Sequence, residues 1–340
     1  MQTLDIIIPT FNGRDLLAQC LPGVAACLDE LDPPAGLIVV DDASTDGSRE
    51  FIGRVFPQAR LVELPRNSGF PRAINAGAAA SDADLLLLLN NDMTPLGSVL
   101  APLLEHFEDP DVAAVAARVV KWDRATIDVG RRLRTWERGE IGGVGNNDDH
   151  PGISYTFFAS GGAMLVRREW FIELGGFDEI YSPGYVEDTD FCFRTWKRER
   201  KIAYDPRSTF VHMGSATFSR GSAGPRRLAR LCRVRYLMRR NAFCFYWSCL
   251  TDPRARREYW RNLPGRACRA ILRGDLFYFA GMLGAAVRLR LLHRRFRIER
   301  QAAQMSDPAV FDTIARLCAS RESAAQPQAA PELETTAVSP

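Results

Sequence analysis

Three groups of residues in this 340-residue chain have types and spacings that could do chemistry. The first is Asn90-Asn91-Asp92, directly after five consecutive leucines, Leu85 to Leu89. A carboxylate beside a buried strand end is costly unless it is solvated, hydrogen-bonded or bound to a cation. A hard divalent ion such as Mg²⁺ takes one or two protein carboxylates and completes its shell with substrate phosphate oxygens. The same tripeptide ahead of Met93-Thr94-Pro95 is also good turn chemistry, so both readings stand. The second group is Glu187-Asp188-Thr189-Asp190. Three acids at a helix start are favoured by the macrodipole, which is one reading. The other is a general base that takes the proton from an attacking hydroxyl. Glu187 and Asp188 are neighbours, so regular structure points them differently and at most one is expected as the base. The third is His212, one of four histidines, at the end of a predicted strand. A lone histidine is more often structural, but a neutral imidazole can complete a metal site begun by a carboxylate.

These residues need elements to hold them. Leu4–Ile8 reads as a buried strand stopped by Pro9, and residues 15–31 carry apolar positions at helical spacing, weakened by Pro22-Gly23. Strands follow at 36–40, 59–64 and 85–89, separated by helices at 48–56 and 70–80. Alternation of this kind predicts a parallel sheet covered on both faces. Ligands of such sheets sit beyond the carboxyl ends of the strands. Thr10-Phe11, Asp41-Asp42, Arg66-Asn67 and Asn90-Asn91-Asp92 all fall there. Further strands are predicted at 112–120, 201–206 and 208–212, with a Gly-Asn-Asp-rich loop at 142–152.

The series resembles the family 2 glycosyltransferases of the GT-A fold over roughly residues 4–218. Ile6-Ile7-Ile8-Pro9-Thr10-Phe11-Asn12 and Ile38-Val39-Val40-Asp41-Asp42-Ala43-Ser44-Thr45-Asp46-Gly47-Ser48 match its N-terminal signature. Arg66-Asn67-Ser68-Gly69-Phe70, Asn75-Ala76-Gly77, Leu88-Leu89-Asn90-Asn91-Asp92, Gly175-Gly176-Phe177-Asp178-Glu179, Glu187-Asp188-Thr189-Asp190 and Val211-His212 look like the branch with bacterial rhamnosyltransferases. The resemblance implies a mixed, mainly parallel sheet with helices on both faces. It implies transfer of a sugar, with inversion, from a nucleotide diphosphate donor to an acceptor hydroxyl in cell-surface polysaccharide or glycolipid synthesis. It assigns Asp41 to the nucleotide base, with Thr10 and Phe11 shaping that pocket, and Asn90 to the donor. It assigns Asp92 and His212 to a divalent cation, Mg²⁺ or Mn²⁺, and Asp188, with Glu187 beside it, to catalysis. The acidic motif here opens on Asn90 rather than Asp, one negative charge fewer. That departure is the one hint of the rival reading, a glycosyltransferase-like binding module that transfers nothing.

Net charge divides the chain further. It is +3 in total, yet residues 1–218 sum to −11, 219–300 to +17 and 301–340 to −3. The expected organisation is a GT-A domain at 1–218, with a nucleotide-sugar half at 1–95 and an acceptor half at 96–218. An Arg-rich helical extension at 219–305 and a partly disordered tail at 306–340 follow. Arg clusters interleaved with aromatics at 219–300 suit an anionic membrane surface, a solvated helical face, or single-stranded nucleic acid. The membrane reading leads, because acceptors in this branch are often polyprenyl-linked glycans; nucleic acid is the least expected. Eight cysteines without CxxC spacing, no basic-then-apolar leader and no apolar run of ~20 residues predict a cytoplasmic protein, peripheral on the inner face of the cell membrane.

Overall fold

The computed structural model describes residues 2–142, 150–214 and 225–325. Strand β1 (Leu4–Thr10) pairs in parallel with β2 (Gly36–Asp41), which pairs with β3 (Arg60–Glu63). On its other side β1 pairs in parallel with β4 (Leu85–Leu89). A short β5 (Met93–Pro95), β6 (Val112–Lys121), β7 (Ile127–Val129), β8 (Thr135–Glu137), β9 (Glu140–Gly142), β10 (Ser154–Tyr155), β11 (Ala163–Arg167) and β12 (Lys201–His212) follow. The main sheet runs β10-β12-β6-β11-β4-β1-β2-β3, with β11 antiparallel to both neighbours and β6 parallel to β12. This is the mixed, mainly parallel sheet of a GT-A fold. The two predicted closing strands are one strand, interrupted by a register shift between Asp205 and Thr209.

Both faces of the sheet are buried, and the leucine run shows why no polar residue interrupts it. Side chains alternate across a strand. Leu86 and Leu88 enter one core cluster with Ile7, Ile38 and Val40, while Leu85, Leu87 and Leu89 enter the other with Ile6, Ile8 and Val39. Helices α1 (Arg14–Cys27), α2 (Ser48–Val55) and α4 (Leu100–Glu105) cover the second face through Leu17, Val24, Ile52 and Leu103. The first face takes α3 (Phe70–Ala80), α5 (Arg168–Glu173) and α6 (Glu187–Lys197), through Ile74, Phe171, Phe191 and Trp196.

The basic extension packs on that same first face. It forms α7 (Pro225–Cys249), α8 (Pro253–Leu272), α9 (Leu276–Ala286) and α10 (Leu289–Ala302). Phe243, Phe245, Tyr278 and Leu292 join the core cluster of α6. Phe243, Phe245, Tyr259 and Tyr278 are buried and so are not available as stacking platforms for bases. Part of the expected tail is a helix too, α11 (Asp307–Ala325), because Val310, Phe311, Ile314 and Cys318 lie on one buried stripe. Residues 326–340, where the rest of that tail falls, lie outside the described residues. Asp307 anchors α11: its carboxylate accepts from Lys197 Nζ at 2.6 Å and from the backbone N–H groups of Thr251 and Asp252, both 2.9 Å.

One buried pair in the body has a pH signature. Burial alone would raise the Asp205 carboxyl, but hydrogen bonds from His106 (2.8 Å) and Arg207 hold it down to about 2. A depressed carboxyl contributes stability above its unfolded value and loses it as pH falls toward the folded one. Urea denaturation is expected to show wild type about 2 kcal/mol more stable than Asp205→Asn at pH 6, the gap closing between pH 4 and 2. A gap independent of pH would contradict this.

Candidate active site

The register of the sheet brings the strand-end residues together. Thr10 pairs with Asp41 across β1 and β2, and β4 ends one residue before Asn90. Asn91 Nδ2 donates to the Thr10 hydroxyl at 2.9 Å, tying the two strand ends into one floor. Thr10 is buried and Phe11 stands exposed at the rim. Asp41 is buried with its carboxylate engaged: it accepts from the Ser44 N–H and from Arg49 Nε at 2.5 Å. Arg49 also reaches Glu63 at 2.9 Å. Asp42, also buried, accepts from the N–H groups of Ser68 (2.7 Å) and Gly69 (2.8 Å), which sets the loop after β3 against β2.

Asp92 and His212 meet because β5 and β12 pair with His212 opposite Met93. His212 Nε2 lies 3.1 Å from Asp92 Oδ2, and Nδ1 lies 2.7 Å from Asp128 Oδ2. Asp128, in β7, comes from a stretch with no readable motif, and no spacing in the sequence pointed to it. Burial disfavours a charged ring, yet the bonds to Asp128 and Asp92 and their charges raise His212 to about 9. A histidine whose Nδ1 is held by a carboxylate presents Nε2 in a fixed direction, as metal-binding histidines do. Asp92 and His212 are two potential ligands on one side of a site. Among the described residues no group of three His, Cys, Asp or Glu has metal-binding geometry. The donor set therefore fits a hard cation only if substrate oxygens and water complete its shell, as such ions readily accept.

The three acids of α6 separate by environment. Asp190 faces inward: it accepts from Arg194 Nε at 2.7 Å and Tyr181 Oη at 3.0 Å, and also pairs with Arg295 from α10. Burial opposes its ionisation, but the two guanidinium groups outweigh that and hold the carboxyl far below the usual range. Glu187 is buried with Oε2 unpartnered, and burial together with the Asp188 charge raises it well above a normal carboxyl. Asp188 is partly exposed. Burial raises its carboxyl as well, while the Thr189 N–H (2.7 Å), the Gly161 N–H and the charge of Arg132 oppose the rise.

The Ser160-Gly161-Gly162 turn joins the two regions. Gly161 donates to Asp188, and a Cβ on Gly162 would meet Asn90 Nδ2 at 2.5 Å. Asn90 lies against this turn, its backbone N–H donating to the Gly162 carbonyl at 3.0 Å. The approach to α6 is held by the extension. Tyr185 (φ 76°) and Val186 (φ 79°) are left-handed, which for a β-branched residue is a marked outlier. Such strain costs of order 1–3 kcal/mol per residue and persists where the surroundings over-determine it. Buried Asn241 of α7 does so by donating to the carbonyls of Tyr181 (2.9 Å), Gly184 (2.9 Å) and Tyr185 (2.8 Å). Nothing in the Arg-rich sequence around Asn241 singled it out.

Comparisons with known proteins bear on the family and the fold. Residues 5–175 match the family described as glycosyl transferase family 2. The pre-mycofactocin glycosyltransferase of Mycobacterium tuberculosis (strain ATCC 25618 / H37Rv) is 31% identical over 201 residues, 56% of this chain and 42% of that protein. The chain thus spans less than half of that relative's length. The N-acetylglucosaminyl-diphospho-decaprenol L-rhamnosyltransferase of the same organism is 25% identical over 235 residues, 62% of this chain and 75% of the relative. Among solved structures, GalNAc-T7 with UDP, GalNAc and Mn²⁺ superposes with a TM-score of 0.64 at 15% identity, covering 93% of this chain and 57% of that one. The mannosyltransferase PcManGT from Pyrobaculum calidifontis, in complex with GDP-Man and Mn²⁺, gives 0.51 at 19% identity, covering 93% and 86%. At these identities the two structures show a shared fold alone.

Proposed function

The chain belongs to glycosyl transferase family 2, and from that membership we propose that it moves a sugar, with inversion, from a nucleotide diphosphate donor to an acceptor hydroxyl in glycan or glycolipid synthesis. The observation that carries the reading is the convergence of Asn90, Asp92 and His212 with Asp188 across the Gly161-Gly162 turn. Thr10, Phe11 and Asp41 line the nucleotide end of the cleft. Asp188 accepts the proton of the acceptor hydroxyl as that oxygen attacks the anomeric carbon from the face opposite the leaving group. Its raised carboxyl makes it a stronger base than a solvated aspartate, and the Gly161 N–H fixes its direction. Burial and the Asp188 charge push the Glu187 carboxyl well up, which disfavours a second negative charge at the site. Asp92 and His212 would hold a divalent cation, Mg²⁺ or Mn²⁺, which as a Lewis acid neutralises charge on the departing diphosphate. The rhamnosyl relative supports a deoxyhexose donor and a lipid-linked acceptor as the finer reading. A panel of nucleotide sugars with Mn²⁺ tests it: turnover of none would favour the binding-module alternative. Asp92→Ala is expected to abolish the Mn²⁺-dependent part of nucleoside diphosphate binding in calorimetry. Unchanged affinity would remove Asp92 from that role.

We further propose that the extension rests on an anionic membrane through α9. Leu276, Ala280, Leu283 and Val287, at positions i, i+4, i+7 and i+11, form one exposed stripe, continued by Ile271 and Leu272. Leu272 is 86% and Leu276 77% exposed, and Arg269, Arg273, Arg288 and Arg290 stand at the ends of the stripe. No single described helix is long and apolar enough to cross a membrane, and α9 and α10, which reach that length only as a pair, are bent by 75°. An apolar stripe framed by arginines suits an interfacial position, at about 1 kcal/mol per basic residue near the surface. Such a position corresponds to a peripheral protein on the inner face of the cell membrane. Liposomes rich in phosphatidylglycerol should carry the wild-type chain in flotation, and Leu276→Glu/Leu283→Glu should not float. Equal flotation of the two would refute the placement.

A further inference from the structure

A cavity of about 230 Å³ opens beside the catalytic helix, and two of its lining residues are arginines. Thr189, the neighbour of Asp188, forms part of its wall, and Phe157, Phe158 and Tyr246 supply flat apolar surface. Arg132 lies with its guanidinium 4.2 Å from the Phe158 ring centroid, and its Nε is buried without a hydrogen-bond partner. Arg134 lines the same space. Among the described residues neither guanidinium forms an ion pair. Both side chains are half-buried, whereas the buried Arg194 and Arg295 are paired with Asp190. Burial and the neighbouring Arg134 weigh against the charge of Arg132 and outweigh the more distant Asp188 and Asp128 charges, while burial weighs against that of Arg134. Cations are seldom taken out of water without a partner, and an orphaned buried donor calls for one. The planar fork of arginine matches carboxylate and phosphate oxygens.

We propose that the Arg132–Arg134 cavity seats an anionic group, carboxylate or phosphate, carried by the acceptor. The proposal rests on the transferase reading above and names the acceptor class: a sugar whose reacting hydroxyl faces Asp188 and whose acidic substituent meets the two arginines. The aromatic walls take the apolar face of the sugar ring. A neutral glycan would cover both half-buried cations without supplying an ion-pair partner, so the cavity discriminates against it as well as for an anion.

Thermal shift on the full chain in EDTA tests it with three probes: methyl glucoside, methyl glucuronide and glucose 1-phosphate. Ligands that bind the native state raise the melting temperature by mass action. At least one anionic probe is expected to bind ten-fold or more tightly than the neutral glucoside. That preference should disappear in Arg134→Gln and in Arg132→Gln, each checked for folding by far-ultraviolet circular dichroism. Which anion shows it separates a uronic acid from a sugar phosphate. Equal binding of neutral and anionic probes overturns the proposal. So does a preference that survives both arginine changes, or one lost in Asp92→Ala, which would place the anion in the donor site. Nucleotide-sugar hydrolysis by the wild-type chain is scored separately. Its absence alongside retained anion binding counts against the transferase reading, not against the cavity.

Discussion

Asp188→Asn is expected to lower turnover by about 10²–10⁴-fold while nucleotide affinity stays near wild type. The change keeps the shape of the side chain and its place under the Gly161 N–H, and removes the basic lone pair. Asp188 stands apart from Glu187 and Asp190 because each of those is otherwise committed. Asp190 is locked between Arg194 and Arg295, and burial pushes the Glu187 carboxyl well above the ordinary range. The wild-type rate should fall on the acid side as Asp188 takes up a proton, at a pH above the ordinary aspartate range, since burial raises that carboxyl. Near wild-type turnover in the variant would remove Asp188 from the role of base. A loss confined to affinity would do the same.

Arg295→Met is expected to cost about 3–5 kcal/mol of stability in urea denaturation, and to lower turnover in the molecules that remain folded. Arg295 enters from α10, in the part of the chain read as a basic extension, and is buried beneath α6. It pairs with Asp190 and with Asp178 (Nε to Oδ2, 2.6 Å), and donates to Tyr181 Oη (2.6 Å) and Ser248 Oγ (3.2 Å). Removing it leaves Asp190 with Arg194 alone among its cationic partners. Asp190 is half a helical turn from Asp188, so loosening it shifts the start of α6. Arg295→Lys should restore only part of the loss, because an ammonium cannot reproduce the fork. A stability equal to wild type would show that the extension does not brace the site through this contact.

Much of the body was legible in local pattern. The run Leu85–Leu89 could only be a strand buried on both faces, and the acids, amides and hydroxyl at Thr10, Asp41 and Asn90–Asp92 mark the ends of such strands. Asp92 and His212 could be paired through the family resemblance, and the β5–β12 register shows how they meet. Asp128 was hidden because it touches His212 only after β7 pairs back on β6, and nothing within its own segment is unusual. The helix within the tail, Asp307–Ala325, was not legible because composition does not reveal that a few apolar residues find a partner face.

The sequence by itself therefore determined the alternation of strands and helices in the first half, the strand ends where polar residues cluster and the family, all of which follow from periodicity and short contiguous motifs. The tertiary structure alone showed how differently Glu187, Asp188 and Asp190 are surrounded. It also decided that Asn241 and Arg295 brace the catalytic helix from the far end of the chain, and that Arg132 and Arg134 share a cavity. Each of those depends on desolvation and on partners brought from distant segments. A side chain's charge state and direction are set by what packs around it, which no local pattern encodes.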